Sequence, residues 1–477
     1  MRKICILLAA ALFFSAAALS GCAAEGERSL YRIEAAYEDG ELRAVLTLSY
    51  ANATGQPQQV LPLLLYANAY REGAKNPPVS PSFRAAAYYA GESFGGVEIS
   101  SVSPCAGWRV GGEDENVLYV ELGEPVPDGG RAEIAVAYTL RLPAADHRTG
   151  VTHGGTVNLG NFYPVLCVWE DGGFRECAYA GNGDPFYSDC ADYEVTFTAD
   201  AACTVAASGA LQRRTVAGGR ATHVFSLQNA RDFAIVFGPS LRTVSAESGG
   251  VRVAYCYEDD PAPQETLALL CEALGYFSHT FGGYPYEAYT AVQTGFCHGG
   301  MEYPALVMLS DALAGQGLAY TAVHETAHQW WYAAVGSDQC TAAWMDEGLA
   351  EYSAALFFEA HPAYGIERET LLHNARTAYN AFCTVWQQVF GAADTSMDRP
   401  LSAYGEYEYA AIAYAKGLLL FDTLENALGR AAFLRGLRGY FRAFCGGIAA
   451  PADLAAAWHD PAARDTVYSF VEGRAVI

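Results

Sequence analysis

Two histidines four residues apart constrain this chain more than any other feature of its sequence. They frame the segment His324-Glu-Thr-Ala-His328. On a helix, residues four apart lie on one face, so both imidazoles can bind one metal ion. Glu325 is offset by about 100° around the helix, which lets it reach a water molecule on the metal without binding the metal itself. The segment therefore predicts a helix that carries part of a metal site.

A carboxylate further along the chain is expected to complete the ligand set, because two imidazoles leave zinc short of the ligands it prefers. Eighteen residues separate His328 from Glu347, which lies in Trp344-Met-Asp-Glu-Gly-Leu-Ala-Glu-Tyr352. Glu351 shares the helix face of Glu347 and is expected to hold a ligand imidazole by its other N–H. The alternative is a buried helix with two incidental histidines, since His-Glu-x-x-His also occurs by chance. The second predicted helix, which supplies Glu347 and Glu351, favours a zinc site over this alternative.

These two segments together resemble the zinc signature of the aminopeptidase N family, the gluzincins. Two further segments agree with that family and occur in its order. Gly299-Gly-Met-Glu-Tyr303 resembles the Gly-x-Met-Glu-Asn exopeptidase motif, and Ala413-Tyr-Ala-Lys-Gly417 resembles the Tyr-x-Lys-Gly motif. The chain departs from the family at Tyr303, which replaces asparagine, and at Trp331-Tyr332, which replaces Phe-Gly. The N-terminal half also shows no clear Gln-x-Glu-Ala motif, which in relatives supplies a second contact to the substrate amine.

The resemblance implies a role for each motif residue. It implies one Zn²⁺ per chain, held by His324, His328 and Glu347. It implies that Glu325 is the general base and later the acid, and that Tyr414 stabilises the oxyanion formed during peptide hydrolysis. Glu302 would bind the free α-amino group of the substrate. The whole substrate-binding motif would be Gly299, Gly300, Met301 and Glu302.

The hydrophobic pattern predicts an α+β protein with two domains. Apolar residues alternate with others at 134–142 and at 193–198, which predicts strands, and Gly/Pro/Asp clusters separate such runs. Residues 29–244 are therefore expected to form a β-rich, sandwich-like domain. Helices are expected at 263–281, 367–390 and 409–428. By its resemblance, the segment 251–477 is expected to be a thermolysin-like, mainly helical catalytic domain.

The first 22 residues predict a lipoprotein signal peptide. Arg2 and Lys3 precede an apolar run that is short for a membrane span, and Leu19-Ser-Gly-Cys22 follows as a bacterial lipobox. Cys22 would then be the acylated first residue of a mature, extracytoplasmic protein anchored in the cell membrane by lipid. The alternative is an ordinary cleaved signal peptide with a chance cysteine. Eleven cysteines remain besides Cys5 and Cys22, an odd number without a Cys-x-x-Cys pair, so no disulfide framework or cysteine zinc site is indicated.

The combined features predict a zinc-dependent aminopeptidase that hydrolyses peptides with a free N-terminus. A net charge of −24 argues against a nucleic-acid partner. One alternative is a thermolysin-like endopeptidase, in which Glu302 holds no amine. Another is a non-catalytic binding lipoprotein. The sequence leaves two other residues open: His298 is expected either beside the cleft or in a structural role, and the Gln293 side chain either toward the substrate or away from it.

Overall fold

The computed structural model describes residues 28–475 and 477, so the signal segment and Cys22 lie outside the described residues. Within the described part, the first half is built from strands and the second half mainly from helices, which confirms the predicted α+β class. No helix in this part is long and apolar enough to cross a membrane.

Alternating burial accounts for the strands of the first half. In the strand at Arg131–Arg141, the side chains of Ile134, Val136, Tyr138 and Leu140 are buried, while the residues between them are partly exposed. The predicted alternation is thus confirmed. The strands of this half are β1 Leu30–Glu38, β2 Glu41–Ala51, β3 Gln58–Leu64, β4 Gly96–Ser103, β5 Gly107–Gly111, β6 Val117–Val126, β7 Arg131–Arg141, β8 Thr149–Val151, β9 Val157–Leu159, β10 Val165–Leu166, β11 Trp169–Glu170, β12 Gly173–Phe174, β13 Ala191–Asp200, β14 Thr204–Ala207, β15 Ala210–Ala217, β16 Arg220–Ala230 and β17 Ile235–Gly238.

Three larger sheets arise from these strands. A seven-stranded sheet has the order β15-β16-β13-β1-β2-β7-β4, with β1 and β13 parallel and the other neighbours antiparallel. Two four-stranded sheets, β10-β3-β6-β5 and β14-β17-β9-β8, contribute buried residues to the same hydrophobic core. The loops that leave this half toward the second half carry residues of the site described below.

A mixed five-stranded sheet begins the second half, in the order β18-β19-β20-β22-β21. Residues 245–250, which the expected domain limits leave between the two domains, belong to a hairpin of this sheet, because β18 and β19 pair antiparallel from Arg242 to Tyr257. Strands β19, β20 and β22 are parallel. The strands of this half are β18 Arg242–Ser248, β19 Val251–Tyr257, β20 Ala288–Thr294, β21 Gly300–Met301, β22 Leu306–Ser310, β23 Val335–Gly336 and β24 Gly447–Ile448.

Helices supply most of the site. The helices of the described residues are α1 Arg84–Ala87 in the first half and, in the second half, α2 Pro263–Thr280, α3 Gly315–Ala327, α4 Gln339–Ala342, α5 Trp344–Ala360, α6 Arg368–Phe390, α7 Glu406–Tyr409, α8 Gly417–Leu428, α9 Arg430–Phe444, α10 Pro451–Ala456 and α11 Pro461–Val471. Of these, α2 and α3 pack against the five-stranded sheet. The helix predicted at 409–428 is present but begins with a π-helical segment at Ala410–Lys416. A second π-helical segment, Gln329–Ala334, follows α3. Such segments often occur at functional sites.

Candidate active site

The three predicted zinc ligands meet at one point. His324 is on the last turn of α3, His328 caps that helix, and Glu347 is on the first turn of α5. Their facing atoms form a small triangle: the two Nε2 atoms are 3.0 Å apart, and Glu347 Oε2 lies 3.3 Å from His324 Nε2 and 3.4 Å from His328 Nε2. Ligand atoms around a tetrahedral zinc are about 3.3 Å apart, given bond lengths of about 2.0–2.1 Å. The triangle therefore has the size that zinc requires.

The chemistry of these atoms also fits a cation. Glu347 Oε2 is buried and has no hydrogen-bond partner among the described residues, although it faces two imidazole nitrogens. A buried carboxylate oxygen without a partner is costly. The other oxygen, Oε1, accepts hydrogen bonds from the hydroxyls of Tyr414 and Tyr409. These hydroxyls orient the carboxylate so that Oε2 is left for a metal.

Each imidazole is held by its other nitrogen. Trp331 and Tyr332 have non-helical backbone angles, and at this interruption the Trp331 carbonyl lies 3.2 Å from His328 Nδ1. His324 Nδ1 lies 3.1 Å from Glu351 Oε1, while the Tyr320 hydroxyl donates to Glu351 Oε2. A metal-binding histidine commonly has such a partner, which fixes the ring and directs Nε2 to the metal. The structure thus puts Glu351 where the sequence predicted it.

The buried carboxylates of the cluster favour a positive charge at the ligand triangle. Burial alone would lower the pKa of His328, but the carboxylates of Glu302 and Glu347 raise it to about 10. Burial alone would raise the pKa of Glu347, but its contacts with both imidazoles hold that pKa well below its ordinary value. Protons on the imidazoles therefore balance the buried carboxylate when no metal is bound, and a divalent cation can replace that charge.

Glu325 lies beside the triangle, on the wall of a cavity. Its side chain is 5% exposed, and Oε2 has no hydrogen-bond partner in the part of the chain that the structure describes. Burial is the main cause that raises the pKa of Glu325 to about 7. Gly300 on β21 makes room for this carboxylate, because a Cβ at that position would approach Glu325 Oε1 closely. A glycine is thus needed at position 300 because the Glu325 side chain from α3 occupies the space that a Cβ would take.

Two motif glycines bring Glu347 and Tyr414 together. Helices α5 and α8 cross at Gly348 and Gly417, where a Cβ on Gly348 would lie 2.8 Å from the Gly417 Cα. Only glycine allows two backbones to approach so closely. Tyr414, on the π-helical segment before Gly417, is half-buried, lines the cavity and donates its hydroxyl hydrogen to Glu347. The Asp-Glu-Gly and Tyr-x-Lys-Gly segments therefore share one packing contact.

The lysine of the Tyr-x-Lys-Gly motif has a structural role. Lys416 is fully buried, and its Nζ donates to the carbonyls of Thr395 and Phe470, both at 2.6 Å. It joins the π-helical segment to α11 and to the loop after α6. Lys416 therefore supports the backbone that carries Tyr414 and does not line the cavity.

Glu302 is tied to the zinc ligands by a glutamine that the sequence did not single out. Gln339 Nε2 donates to Glu302 Oε1 at 3.2 Å and to Asp346 Oδ2 at 2.6 Å, and Asp346 Oδ1 accepts from the backbone N–H of Glu347 at 2.8 Å. Glu302 is 3% exposed, and one atom each of Glu302, His328 and Asp346 lie within 4.8 Å of one another. The predicted amine-binding carboxylate is thus next to the ligand set.

The N-terminal half contributes a second carboxylate and a guanidinium. Asp184, 8% exposed, forms a buried ion pair with Arg148 and lines the cavity. Arg148 Nε also donates to the sulfur of Met301 at 3.1 Å, which holds the buried Met301 in place. Burial, then the charge of Asp184, raises the pKa of Glu302 well above its ordinary value. Asp184 from the N-terminal half and Glu302 from the second half therefore lie close enough for the charge of Asp184 to affect Glu302.

Tyr303, where the chain departs from the family motif, contacts two residues of the N-terminal half. Its hydroxyl donates to Asn161 Oδ1 at 2.8 Å. It lies against Gly160, where a Cβ would overlap the hydroxyl. The tyrosine that replaces the asparagine of the family motif thus joins the predicted substrate-binding motif to the N-terminal half. Of the two orientations that the sequence leaves open for Gln293, the structure shows the one away from the cavity: its Oε1 accepts the backbone N–H groups of Glu258 and Asp259.

The cavity between the two halves has a volume of about 790 Å³. Its lining includes His324, Glu325, Gly299, Gly300 and Tyr414 from the second half, together with Asp184 and Phe83 from the first. His298 also lines it, as the sequence allowed. Two hydrogen bonds join the halves beside it, from Ser80 Oγ to Glu406 and from Asn182 Nδ2 to the Tyr404 carbonyl. The volume is within the range of ligand-binding pockets.

Sequence reasoning missed Asp184, Arg148, Gln339 and Asp346. Asp184 lies in Gly181-Asn-Gly-Asp-Pro185, a segment that reads as a turn between strands, so no local signal separates it from other turn residues. Asp346 precedes Glu347 directly, and an adjacent acidic pair at a helix start was the one available signal. Gln339 has no such signal, because its role depends on a contact with Glu302, 37 residues away.

Comparisons with known proteins relate this chain to zinc metallopeptidases. Residues 266–473 match the family model described as the Peptidase family M1 domain. The chain is also similar to a membrane alanyl aminopeptidase of Manduca sexta, with 27% identity over 159 residues. That match covers 33% of this chain and 16% of the relative, so the chain spans about one sixth of the length of the curated relative it matches.

Solved structures share the fold over nearly the whole chain. A two-domain M1 zinc metallopeptidase bound to L-arginine has a TM-score of 0.68 at 19% identity, covering 94% of this chain and 95% of that one. An M1 zinc metallopeptidase from Deinococcus radiodurans has a TM-score of 0.66 at 20% identity, covering 94% of both chains. A variant from Deinococcus radiodurans bound to a Tyr-Ser-Ala substrate has the same TM-score and identity, covering 94% and 95%. Residues 266–473 therefore resemble the M1 peptidase domain, and the chain has the fold of the two-domain M1 zinc metallopeptidases.

Proposed function

We propose that this protein is a zinc-dependent aminopeptidase that removes N-terminal residues from peptides. The observation that carries the proposal is the triangle of His324 Nε2, His328 Nε2 and Glu347 Oε2, with separations of 3.0–3.4 Å, beside a cavity that Glu325 and Tyr414 also line. The Tyr-Ser-Ala substrate of the Deinococcus radiodurans neighbour supports a peptide as the ligand of this cavity.

Hydrolysis needs a group that moves a proton, and Glu325 has the position for it. When bound by His324, His328 and Glu347, zinc supplies Lewis acidity, which polarises a carbonyl and acidifies water. Glu325 takes a proton from the attacking water and passes it to the nitrogen of the leaving amine as the carbon–nitrogen bond breaks. The peptide bond is thereby replaced by a carboxylic acid and an amine, and Glu325 returns to its starting state.

Tyr414 supplies a hydrogen bond to the charge that develops during attack. Its hydroxyl lines the cavity and donates to Glu347 Oε1. Turning that hydroxyl from Glu347 toward the scissile carbonyl lets it stabilise the oxyanion, while Tyr409 still donates to Glu347 at 3.4 Å. Glu347 therefore keeps a hydrogen bond from one tyrosine while the other serves the substrate.

The carboxylates beside the zinc ligands would bind the free amine of the substrate. Glu302 and Asp184 are both buried, burial is the first cause that raises the pKa of each, and the charge of Asp184 raises the pKa of Glu302 further. A substrate ammonium group between them offsets like charges that are otherwise costly to bury. Asp184 supplies the contact from the N-terminal half that relatives make through the Gln-x-Glu-Ala motif. The hydrogen bonds from Ser80 and Asn182 join that half to the second half beside the cavity.

An acetylated substrate tests the amine requirement. The wild-type protein is expected to cleave a tripeptide with a free N-terminus and to leave its N-acetylated twin uncleaved, because acetylation removes the positive charge that Glu302 binds. Glu302→Gln, which keeps the shape of the side chain, should lower kcat/KM for the free peptide on the order of 10²-fold. Steady-state kinetics with both peptides, alongside zinc content, measures this.

Zinc content is the control for that experiment, since Glu302→Gln should retain one zinc per chain. Glu272→Gln serves as the matched control, because it makes the same change at an exposed position of α2 away from the cavity, and its peptide discrimination should equal that of the wild type. Similar rates for the free and acetylated peptides in the wild-type protein would overturn the aminopeptidase assignment and favour an endopeptidase.

We also propose that the protein is anchored outside the cytoplasm by lipid on Cys22. The support is the sequence Leu19-Ser-Gly-Cys22 after a short apolar run. Cys22→Ser should move the protein from the membrane fraction to the soluble fraction of the expressing cells and abolish labelling with a radioactive fatty acid. Fatty-acid labelling that persists in this variant would contradict the proposal.

A further inference from the structure

Glu302, the carboxylate proposed to bind the substrate amine, is held by one buried amide. Among the described residues, the only hydrogen bond to the Glu302 carboxylate comes from Gln339 Nε2, at 3.2 Å. The same nitrogen also donates to Asp346 Oδ2 at 2.6 Å, and Asp346 Oδ1 accepts the backbone N–H of Glu347 at 2.8 Å. Three hydrogen bonds therefore run from Glu302 to the backbone of a predicted zinc ligand, and the position of Glu302 depends on Gln339.

The hydrogen bonds of Gln339 show that its side chain is present for its two donor hydrogens. Gln339 is 2% exposed, and its Oε1 is buried without a hydrogen-bond partner in residues 28–475. An unpaired buried carbonyl oxygen is costly, and an apolar side chain of the same size would avoid that cost. The reversed amide is unfavourable, because it would point Oε1 at two carboxylates. The side chain therefore serves Glu302 and Asp346 and not the packing of the core.

A neutral donor suits the space between these two carboxylates better than a cation. One oxygen of Glu302 and one of Asp346 lie within 4.8 Å of each other, and both side chains are buried. A lysine between them would pair with both carboxylates and put its own ammonium group beside Glu302. The amide of Gln339 donates a hydrogen bond to each carboxylate without cancelling its charge. Glu302 is thus fixed in place and still able to pair with a substrate amine.

The backbone of Gln339 is itself fixed from both halves of the chain. Gln339 begins α4, and the side chain of the preceding Asp338 accepts from the Cys340 N–H at 2.9 Å and from the Thr341 hydroxyl at 2.6 Å. Arg175 of the N-terminal half lies 3.6 Å from the same carboxylate. A capped helix start of this kind limits where the next side chain can point. The amide therefore reaches Glu302 from a defined position.

We propose that Gln339 is a positioning residue that holds Glu302 where the substrate ammonium group binds, and that it thereby supports the selection of a free N-terminus. This role rests on the aminopeptidase function proposed above. Gln339 acts through Glu302 and is absent from the residues that line the cavity. Its removal should consequently matter only while Glu302 keeps its carboxylate.

A double-mutant cycle tests this dependence. Gln339→Met keeps the length of the side chain and removes both donors, so kcat/KM for a free tripeptide should fall about 10–100-fold, as for the loss of a hydrogen bond to a charged group. In a Glu302→Gln background, the same substitution should change kcat/KM by less than about 3-fold, because the group that it supports is already disabled. Gln387→Met is the matched control: Gln387 also donates a hydrogen bond, to the Gly391 carbonyl, at an exposed position of α6, and its variant should have wild-type kinetics.

Two further measurements separate positioning from a loss of structure. Acetohydroxamic acid binds zinc without an amine, so it should inhibit Gln339→Met as strongly as the wild type, with one zinc per chain. Gln339→Lys can pair with both carboxylates and should lower kcat/KM for the free tripeptide at least as much as Glu302→Gln does. An equal effect of Gln339→Met with and without the Glu302 carboxylate, inhibition that weakens in parallel with kcat/KM, or wild-type kinetics of Gln339→Lys would each overturn the proposal.

The comparison of free and N-acetylated tripeptides distinguishes this role from the proposed function. Equal wild-type rates on the two peptides would overturn both, because there would be no amine site to hold in place. Discrimination by the wild type that persists unchanged in Gln339→Met would overturn the positioning role alone and leave the aminopeptidase function intact.

Discussion

Replacing Glu325 with glutamine is expected to remove nearly all turnover while folding and zinc binding persist. The carboxylate lies on the cavity wall beside the ligand triangle, and its Oε2 has no hydrogen-bond partner within residues 28–475. Glutamine has almost the same volume, so the close contact with Gly300 is kept. It cannot accept a proton at neutral pH, so the step that general-base catalysis serves is lost. The expected fall in kcat is on the order of 10²–10⁴-fold.

Tyr414→Phe is the informative comparison for that variant. Removing the hydroxyl leaves the base in place and takes away one hydrogen bond to the developing oxyanion, so kcat should fall on the order of 10²–10³-fold. Both variants should show wild-type circular dichroism and one zinc per chain. Peptide hydrolysis by Glu325→Gln at the wild-type rate would show that another group is the base.

Replacing Glu347 with glutamine is expected to remove zinc. The substitution keeps an oxygen for the hydroxyls of Tyr414 and Tyr409 but takes away the negative charge on the atom that faces both imidazoles. Zinc affinity should fall by more than about 10²-fold, beyond the loss typical of a residue that only supports a ligand. The variant should also unfold at a lower temperature than the zinc-loaded wild type, because the wild type gains stability from the bound ion.

Glu351→Gln provides the matched control, because Glu351 is on the same helix and touches His324 at the nitrogen that faces away from the triangle. Its zinc affinity should fall only about 10–100-fold. After dialysis against a chelator of intermediate strength, the wild type should keep one zinc per chain and Glu347→Gln none. If Glu347→Gln and Glu351→Gln lose zinc to the same extent, Glu347 is not a ligand.

Much of the fold could be predicted because its local signals are strong. The alternation at 134–142 gives a strand whose apolar side chains are buried, and the helices expected at 263–281 and 367–390 occur at Pro263–Thr280 and Arg368–Phe390. The π-helical start of the helix expected at 409–428 could not be predicted. Its residues Tyr414 and Lys416 make their contacts with distant parts of the chain, and residues 410–416 contain no proline or glycine to mark the segment.

Some residues of the site could likewise be predicted from the sequence, and others could not. The zinc-facing residues lie within two helices, so helical periodicity alone places His324 with His328 and Glu347 with Glu351. The contacts of Asp184 and Gln339 join segments that are far apart in the chain, and such contacts follow from tertiary packing. The reason for Gly348 and Gly417 likewise becomes visible only where α5 and α8 cross.

The central claim is that one zinc ion is held by His324, His328 and Glu347 at the wall of the cavity. Anomalous diffraction from crystals of the purified protein, recorded on both sides of the zinc absorption edge, tests it directly. The expected result is one strong zinc peak within about 2.0–2.2 Å of both Nε2 atoms and of a Glu347 carboxylate oxygen. A protein that binds no zinc, or a zinc peak away from these three side chains, would contradict the claim.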